Sequence, residues 1–137
     1  MTEQAIFEKV IPLICEVTGV RAEQIKMESG LMQDLGAESV DLLDLSFLIE
    51  ETFGITIEAD EFEQRACERI AGGVFEKDGC LTDEAVEELK LALPEIPAEQ
   101  FKAGLKKIEL PSILNVAVFV HLIQRKLADK SREVNNA

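Results

Sequence analysis

Chemistry in this 137-residue chain centres on one serine. Ser39 lies in Asp34-Leu35-Gly36-Ala37-Glu38-Ser39-Val40-Asp41-Leu42-Leu43-Asp44-Leu45, where a glycine-containing loop gives way to an apolar-periodic run. A serine at the start of a helix stands beside free backbone N–H groups and the positive end of the helix dipole. Those surroundings suit a phosphate ester. Asp41, Asp44, Phe47 and Glu51 follow along one side of the same helix, with Glu38 and Glu50 beside them. They make an acidic stripe with one apolar contact inside it, a surface that a modifying enzyme can read with arginines and lysines. The plain alternative is that Ser39 only caps the helix, and spacing alone leaves both readings open.

Other chemistries find little support. A nucleophilic serine needs a base, usually histidine, and the only one is His121. With Ala117 and Gln124 at neighbouring helical positions, His121 reads as an ordinary surface or half-buried residue rather than a catalyst. No HExxH, no metal-spaced Cys/His cluster, no EF-hand loop and no glycine-rich phosphate loop is present. Cys15, Cys67 and Cys80 form no CxxC pair, and an odd, dispersed set suits a reducing compartment. The chain is therefore expected to be non-catalytic.

The elements that must position Ser39 read as helices. Thr2 is placed to cap a first helix whose stripe is Ile6, Val10, Leu13, Ile14 and Val17. Pro12 should kink it and Gly19 end it. A polar loop over Arg21–Gly30 follows. A second helix is expected from Ser39 to about Phe53, stopped by Gly54, with Val40, Leu43, Phe47, Leu42, Leu45 and Ile49 as a wide apolar face. Ile55-Thr56-Ile57 reads as a packed turn. Further helices are expected over Ala59–Ala71, closed by Gly72-Gly73; over Asp83–Leu93, capped by Thr82; and from Pro97 to about Lys107. Asp78-Gly79 marks a turn. Ser112 is placed to cap the last helix, with Ile113, Val116, Val120, Ile123 and Leu127 on one face, and the tail from Asp129 reads as frayed. The expected fold class is all-α, a helical bundle with no convincing strand.

Composition bounds the partners. Lys plus Arg is 14 against 27 Asp plus Glu, a net charge of −13. Such a chain repels nucleic acid and anionic membranes and favours partners with basic patches, although acidity also serves plain solubility. The uncharged run Leu110–Gln124 is too short and too polar to span a bilayer, and the N-terminus shows no signal core. A cytoplasmic location is expected.

The serine segment resembles the attachment motif of acyl carrier proteins, usually D-L-G-x-D-S-L-D. Asp34, Leu35, Gly36, Ser39 and Asp41 match, while Glu38 and Val40 replace the usual Asp and Leu. Leu45, Ile49, Glu50, Glu51 and Phe53 fall where that family places the end of its second helix, and Ile113–Val120 where its last helix starts. The resemblance covers residues 1 to about 62 and about 110 to 127. It implies an acyl-carrier-like bundle with 4'-phosphopantetheine, donated by coenzyme A through a phosphopantetheinyl transferase, attached to Ser39. Acyl chains would ride on it as thioesters and be presented to enzymes of fatty-acid, polyketide, lipopeptide or lipopolysaccharide-lipid synthesis. An acidic adaptor that is never modified is the competing reading.

The resemblance lapses over an inserted segment at about 63–109, within one domain spanning 1–137. Phe62, Ile70, Val74, Phe75, Leu81, Val86, Leu89, Leu93, Phe101, Leu105 and Ile108 are too many apolar residues for a disordered linker. Val86, Leu89 and Leu93 share one helical face, and Phe101, Leu105 and Ile108 another. If they pack on the first and last helices they widen a cavity; if on each other they form a side lobe.

Overall fold

Thr2, extended at φ −75° and ψ 159°, accepts the Ala5 N–H on Oγ1 at 3.1 Å and so starts helix α1, Glu3–Thr18. This computed structural model describes residues 1–58, 61, 76–102 and 104–135, with the backbone alone for 131–135. Ile6, Val10 and Ile14 are fully buried along α1, and Leu13 and Val17 half-buried. The helix is unbroken at Pro12, which lies on the exposed side, where water can meet the carbonyl that loses its partner. Gly19 closes α1 in the left-handed region, its N–H donating to Cys15 O at 2.8 Å.

The loop from α1 to Glu38 contains one 3-10 turn, Ala22–Gln24, and is held down by buried Ile25, Leu31, Leu35 and Ala37. It also meets the last helix, α4 (Val116–Asn135). Val116 and Ala117 donate their N–H groups to Ser29 O and Met27 O at 3.0 and 2.9 Å, and Leu31 N–H donates to Leu114 O. Loop carbonyls thus satisfy donors that a helix start leaves free.

Helix α2 spans Ser39–Phe53 and stops at Gly54, as expected. Its apolar face is narrower than the sequence suggests. Leu42, Leu45, Ile49 and Phe53 point inward, whereas Val40, Leu43 and Phe47 are exposed. Apolar residues on two sides of one helix exceed what a single packing face can cover, and α1 takes only one side. After Gly54 the chain forms a packed turn with Ile55 buried, not a strand. The helix expected over Ala59–Ala71 lies outside the described residues except for Glu61, as do Cys67, Phe62, Ile70, Val74 and Phe75.

The inserted segment departs further from expectation. Where the sequence predicts only a turn, β1 (Glu76–Lys77) and β2 (Cys80–Leu81) form an antiparallel hairpin. Asp78 and Gly79 both take positive φ, 56° and 83°, which twists a two-residue connection to suit paired strands. Helix α3, Asp83–Ala92, is capped by Thr82 Oγ1 and buries Val86 and Leu89, with Leu93 buried just beyond its end. No helix runs from Pro97 to Lys107. A single 3-10 turn, Ala98–Gln100, gives way to Gly104 at φ 76°, and the following residues turn back onto the hairpin, Leu81 N–H donating to Leu105 O. Phe101 and Leu105 are buried but Ile108 is exposed, so they share no face.

A 3-10 helix, Lys107–Ile113, then leads to α4. Ser112 is inside it and bonds to Glu109 O. The residue that caps α4 is Asn115, whose Oδ1 accepts Val118 N–H at 3.1 Å. The tail does not fray where the sequence turns polar: α4 remains helical to Asn135. Lys126 pairs with Glu61 at 2.9 Å and Lys130 bonds to Gly54 O at 2.8 Å, anchoring polar turns that hydrophobic periodicity overlooks. Helix α1 packs against both α2 and α4. One contiguous buried cluster includes Ile6 and Ile49 with Leu89, Leu93 and Leu105 of the inserted segment. The fold class is all-α, as expected, apart from the small hairpin.

Candidate functional site

The loop before Ser39 is shaped by two residues of the serine segment. Asp34 Oδ2 accepts Gly30 N–H at 2.7 Å, bracing the turn. Gly36 takes φ 72°, and a β-carbon there would meet nothing within 4 Å, so its requirement is conformational rather than spatial. Buried Leu35 and Ala37 flank it and pin the loop to the core.

Ser39 itself is exposed and is the first residue of α2, not its cap. The cap position belongs to Glu38, whose N–H donates to Asp41 Oδ2 at 2.9 Å. Asp41 and Leu42 donate their N–H groups to Glu38 O, which leaves the amides of Ser39 and Val40 as the donors of the first turn that have no partner among the described residues. An exposed hydroxyl beside those two amides and the positive dipole end is a fitting seat for a phosphodiester.

The six residues expected to form a recognition stripe separate into two groups. Asp44, Phe47 and Glu51 are exposed, and no hydrogen bond or ion pair engages Asp44 or Glu51 among the described residues. Asp41 and Glu50 are half-buried and hold structure: Asp41 secures the start of α2, and Glu50 Oε2 accepts Ile57 N–H at 3.2 Å after its end. Glu38 is exposed at the cap.

Beside Ser39 opens a cavity of about 640 Å³. Leu42, Leu43 and Phe47 of α2 form one wall, and Leu110, Pro111, Leu114 and Phe119 much of the other, with Asp44, Ser46, Glu50, Glu58 and Glu61 adding polar groups. Nothing in the sequence pattern connects residues 110–119 with Ser39. They lie some seventy positions away along the chain, and no periodicity signals a cavity assembled across that separation.

His121 is occupied elsewhere. Its Nδ1 lies 2.6 Å from Glu95 Oε2 and its Nε2 3.4 Å from Glu3 Oε1, and it does not line the Ser39 cavity. Among the described residues no group of three His, Cys, Asp or Glu side chains is placed to hold a metal ion. Cys15 and Cys80 are free thiols. No helix among the described residues is long and apolar enough to cross a membrane.

A family profile described as "Phosphopantetheine attachment site" matches residues 8–71. The chain is 45% identical over 64 residues to an acyl carrier protein of Guillardia theta, covering 47% of this chain and 79% of that relative. It is 42% identical over 59 residues to an acyl carrier protein of Clostridium acetobutylicum, covering 43% and 77%. To the acyl carrier protein AcpXL of Rhizobium meliloti it is 40% identical over 68 residues, covering 50% and 72%. The chain belongs to the acyl carrier protein family. No solved structure matches it. Like the family, it is a non-catalytic carrier whose prosthetic group is covalently bound 4'-phosphopantetheine. When bound, that group supplies a terminal thiol that holds acyl chains as thioesters. The segment 76–135, which contributes Leu110, Pro111, Leu114 and Phe119 to the cavity, lies wholly beyond the residues that the family profile matches.

Proposed function

We propose that Ser39 carries the phosphopantetheine and that the cavity beside it shelters the acyl chain. The observation that supports this most is the juxtaposition of an exposed first-turn serine, the two amides beside it and a cavity of about 640 Å³ with mainly apolar walls. Spaces between bundle helices are usual sites for apolar ligands. A phosphopantetheinyl transferase transfers the group from coenzyme A to the Ser39 hydroxyl. The partners are that transferase and acyl-transferring or acyl-modifying enzymes with basic patches, acting in lipid or polyketide synthesis in the cytoplasm. Asp44, Phe47 and Glu51 form the exposed part of the docking stripe. Glu38 adds charge at its end, and Asp41 and Glu50 contribute from half-buried positions.

The deciding experiment is intact mass after incubation with coenzyme A and a transferase. The mass should rise by one phosphopantetheine in the natural chain and not in Ser39→Ala. A natural chain that gains nothing would favour the unmodified adaptor reading, and a Ser39→Ala chain that still gains the group would place attachment elsewhere.

A further inference from the structure

Among the described residues, exposed large apolar side chains concentrate on the outer face of α2. Val40, Leu43, Phe47 and Ile108, exposed by 58%, 66%, 61% and 85%, are four of the six large hydrophobics exposed among the described residues. Leu43 and Phe47 line the Ser39 cavity on the α2 side. Ile108 belongs to the opposite side. In the 3-10 helix Lys107–Ile113, residues three apart stack, so Ile108 shares a row with Pro111, which lines the cavity. Ile108 therefore carries the apolar wall outward beyond the mouth. Concentrated exposed apolar surface of this kind marks an interaction site.

The two lips differ in charge. The α2 lip carries Asp44 and Glu51 with its apolar residues. The segment that leads into the opposite wall carries Lys102, Lys106 and Lys107, all exposed, with Glu109 as the one acidic residue from 100 to 110. None of these three lysines forms an ion pair among the described residues, although the chain carries a net charge of −13. Lys90, Lys126 and Lys130, by contrast, are all engaged. The Gln33 Nε2 to Gln100 Oε1 bond, 3.2 Å, fastens the basic segment beside the loop that leads to Ser39.

A basic lip tipped with an isoleucine calls for an acidic surface with apolar side chains, and α2 of the same protein has that chemistry. We propose that two copies of this chain pair reciprocally across their Ser39 mouths, the α2 lip of each meeting the Lys106–Ile108 lip of the other. In this pairing a two-fold axis uses each lip once and closes the assembly as a dimer rather than a filament. The surface is small and both copies are acidic, so pairing is weak and depends on concentration. In the pair, Ser39 is covered and withheld from the partners that dock on α2.

Sedimentation equilibrium of the full chain tests this. The mass average of the natural chain should climb toward the dimer as protein approaches about 1 mM. Ile108→Asp should abolish the climb. Lys106→Glu with Lys107→Glu makes both lips acidic, and Asp44→Lys with Glu51→Lys makes the α2 lip basic like the other. Each double variant alone should stay monomeric, and an equimolar mixture of the two should regain the dimer, because every acidic lip then faces a basic one. A mixture that stays monomeric overturns the pairing, as does undiminished association of either double variant. A natural chain that stays monomeric also overturns it, leaving the basic lip to an acidic surface of another protein. Dimerisation is read here without modification, so this outcome is independent of the role of Ser39.

Discussion

At Ser39 the distinction between capping and occupying the first helical position decides what a substitution costs. Glu38 and Asp41 already close the helix start, so Ser39→Ala removes an exposed hydroxyl that has no hydrogen-bond partner among the described residues. It should change stability by less than about 0.5 kcal/mol. Chemical denaturation and intact mass should separate the two effects: unchanged folding, no phosphopantetheine. The two aspartates after it should also behave differently. Asp41→Asn weakens the bond to Glu38 N–H and should cost about 1 kcal/mol in an unfolding titration. Asp44→Lys touches no internal partner and should leave stability alone while slowing modification, chiefly through the encounter rate. Equal modification rates for Asp44→Lys and the natural chain would reduce the stripe to a solvated face. The serine motif and its acidic neighbours are legible in the sequence because they are local. The division of labour among them is not, since it depends on where each carboxylate finds an N–H.

Among the elements, the starts of helices show how far local chemistry reaches. Thr2 and Thr82 cap their helices as their sequence neighbours suggest, with Ala5 and Ala85 N–H as donors. Ser112 fails in the same role because Pro111 and the 3-10 geometry carry the chain past it to Asn115. Asn115 is buried and works in two directions, Oδ1 toward Val118 N–H and Nδ2 toward Glu95 O at 2.9 Å. Asn115→Ala should therefore cost about 2–3 kcal/mol, counting both lost bonds and the partly buried Glu95 carbonyl left without its donor. Ser112→Ala should cost under about 0.5 kcal/mol. Thermal or denaturant unfolding of the two variants checks the contrast, and similar losses would contradict the assignment of the cap.

On the scale of the molecule, the buried cluster joins both halves of the chain, and we propose that the inserted segment folds together with the carrier as one domain. Leu89 on α3 is fully buried in that cluster. Leu89→Ala should lower stability by about 2–5 kcal/mol and shift a single cooperative transition, read by the same midpoint in helical circular dichroism and in modification competence. Two separated transitions would show that the insertion is an independent lobe. Loading the holo-protein with acyl chains of increasing length should raise the thermal midpoint as long as each added methylene finds cavity wall. A midpoint indifferent to chain length would mean that the chain lies outside.

Residues close in sequence determine the capped first helix, the helix that begins at Ser39, the packed turn at Ile55 and the acidic stripe. They also carry the resemblance that rests on Asp34, Leu35, Gly36, Ser39 and Asp41. All depend on hydrophobic periods, caps and charges within a few turns. The outward face of Val40, Leu43 and Phe47, the hairpin at Asp78-Gly79 and the unbroken α4 depend on contacts between distant segments. The cavity is the clearest case. Leu43 and Leu45 are similar side chains two residues apart, yet one lines the opening beside Ser39 and the other is buried in the core, because burial is set by which distant surface arrives opposite each residue.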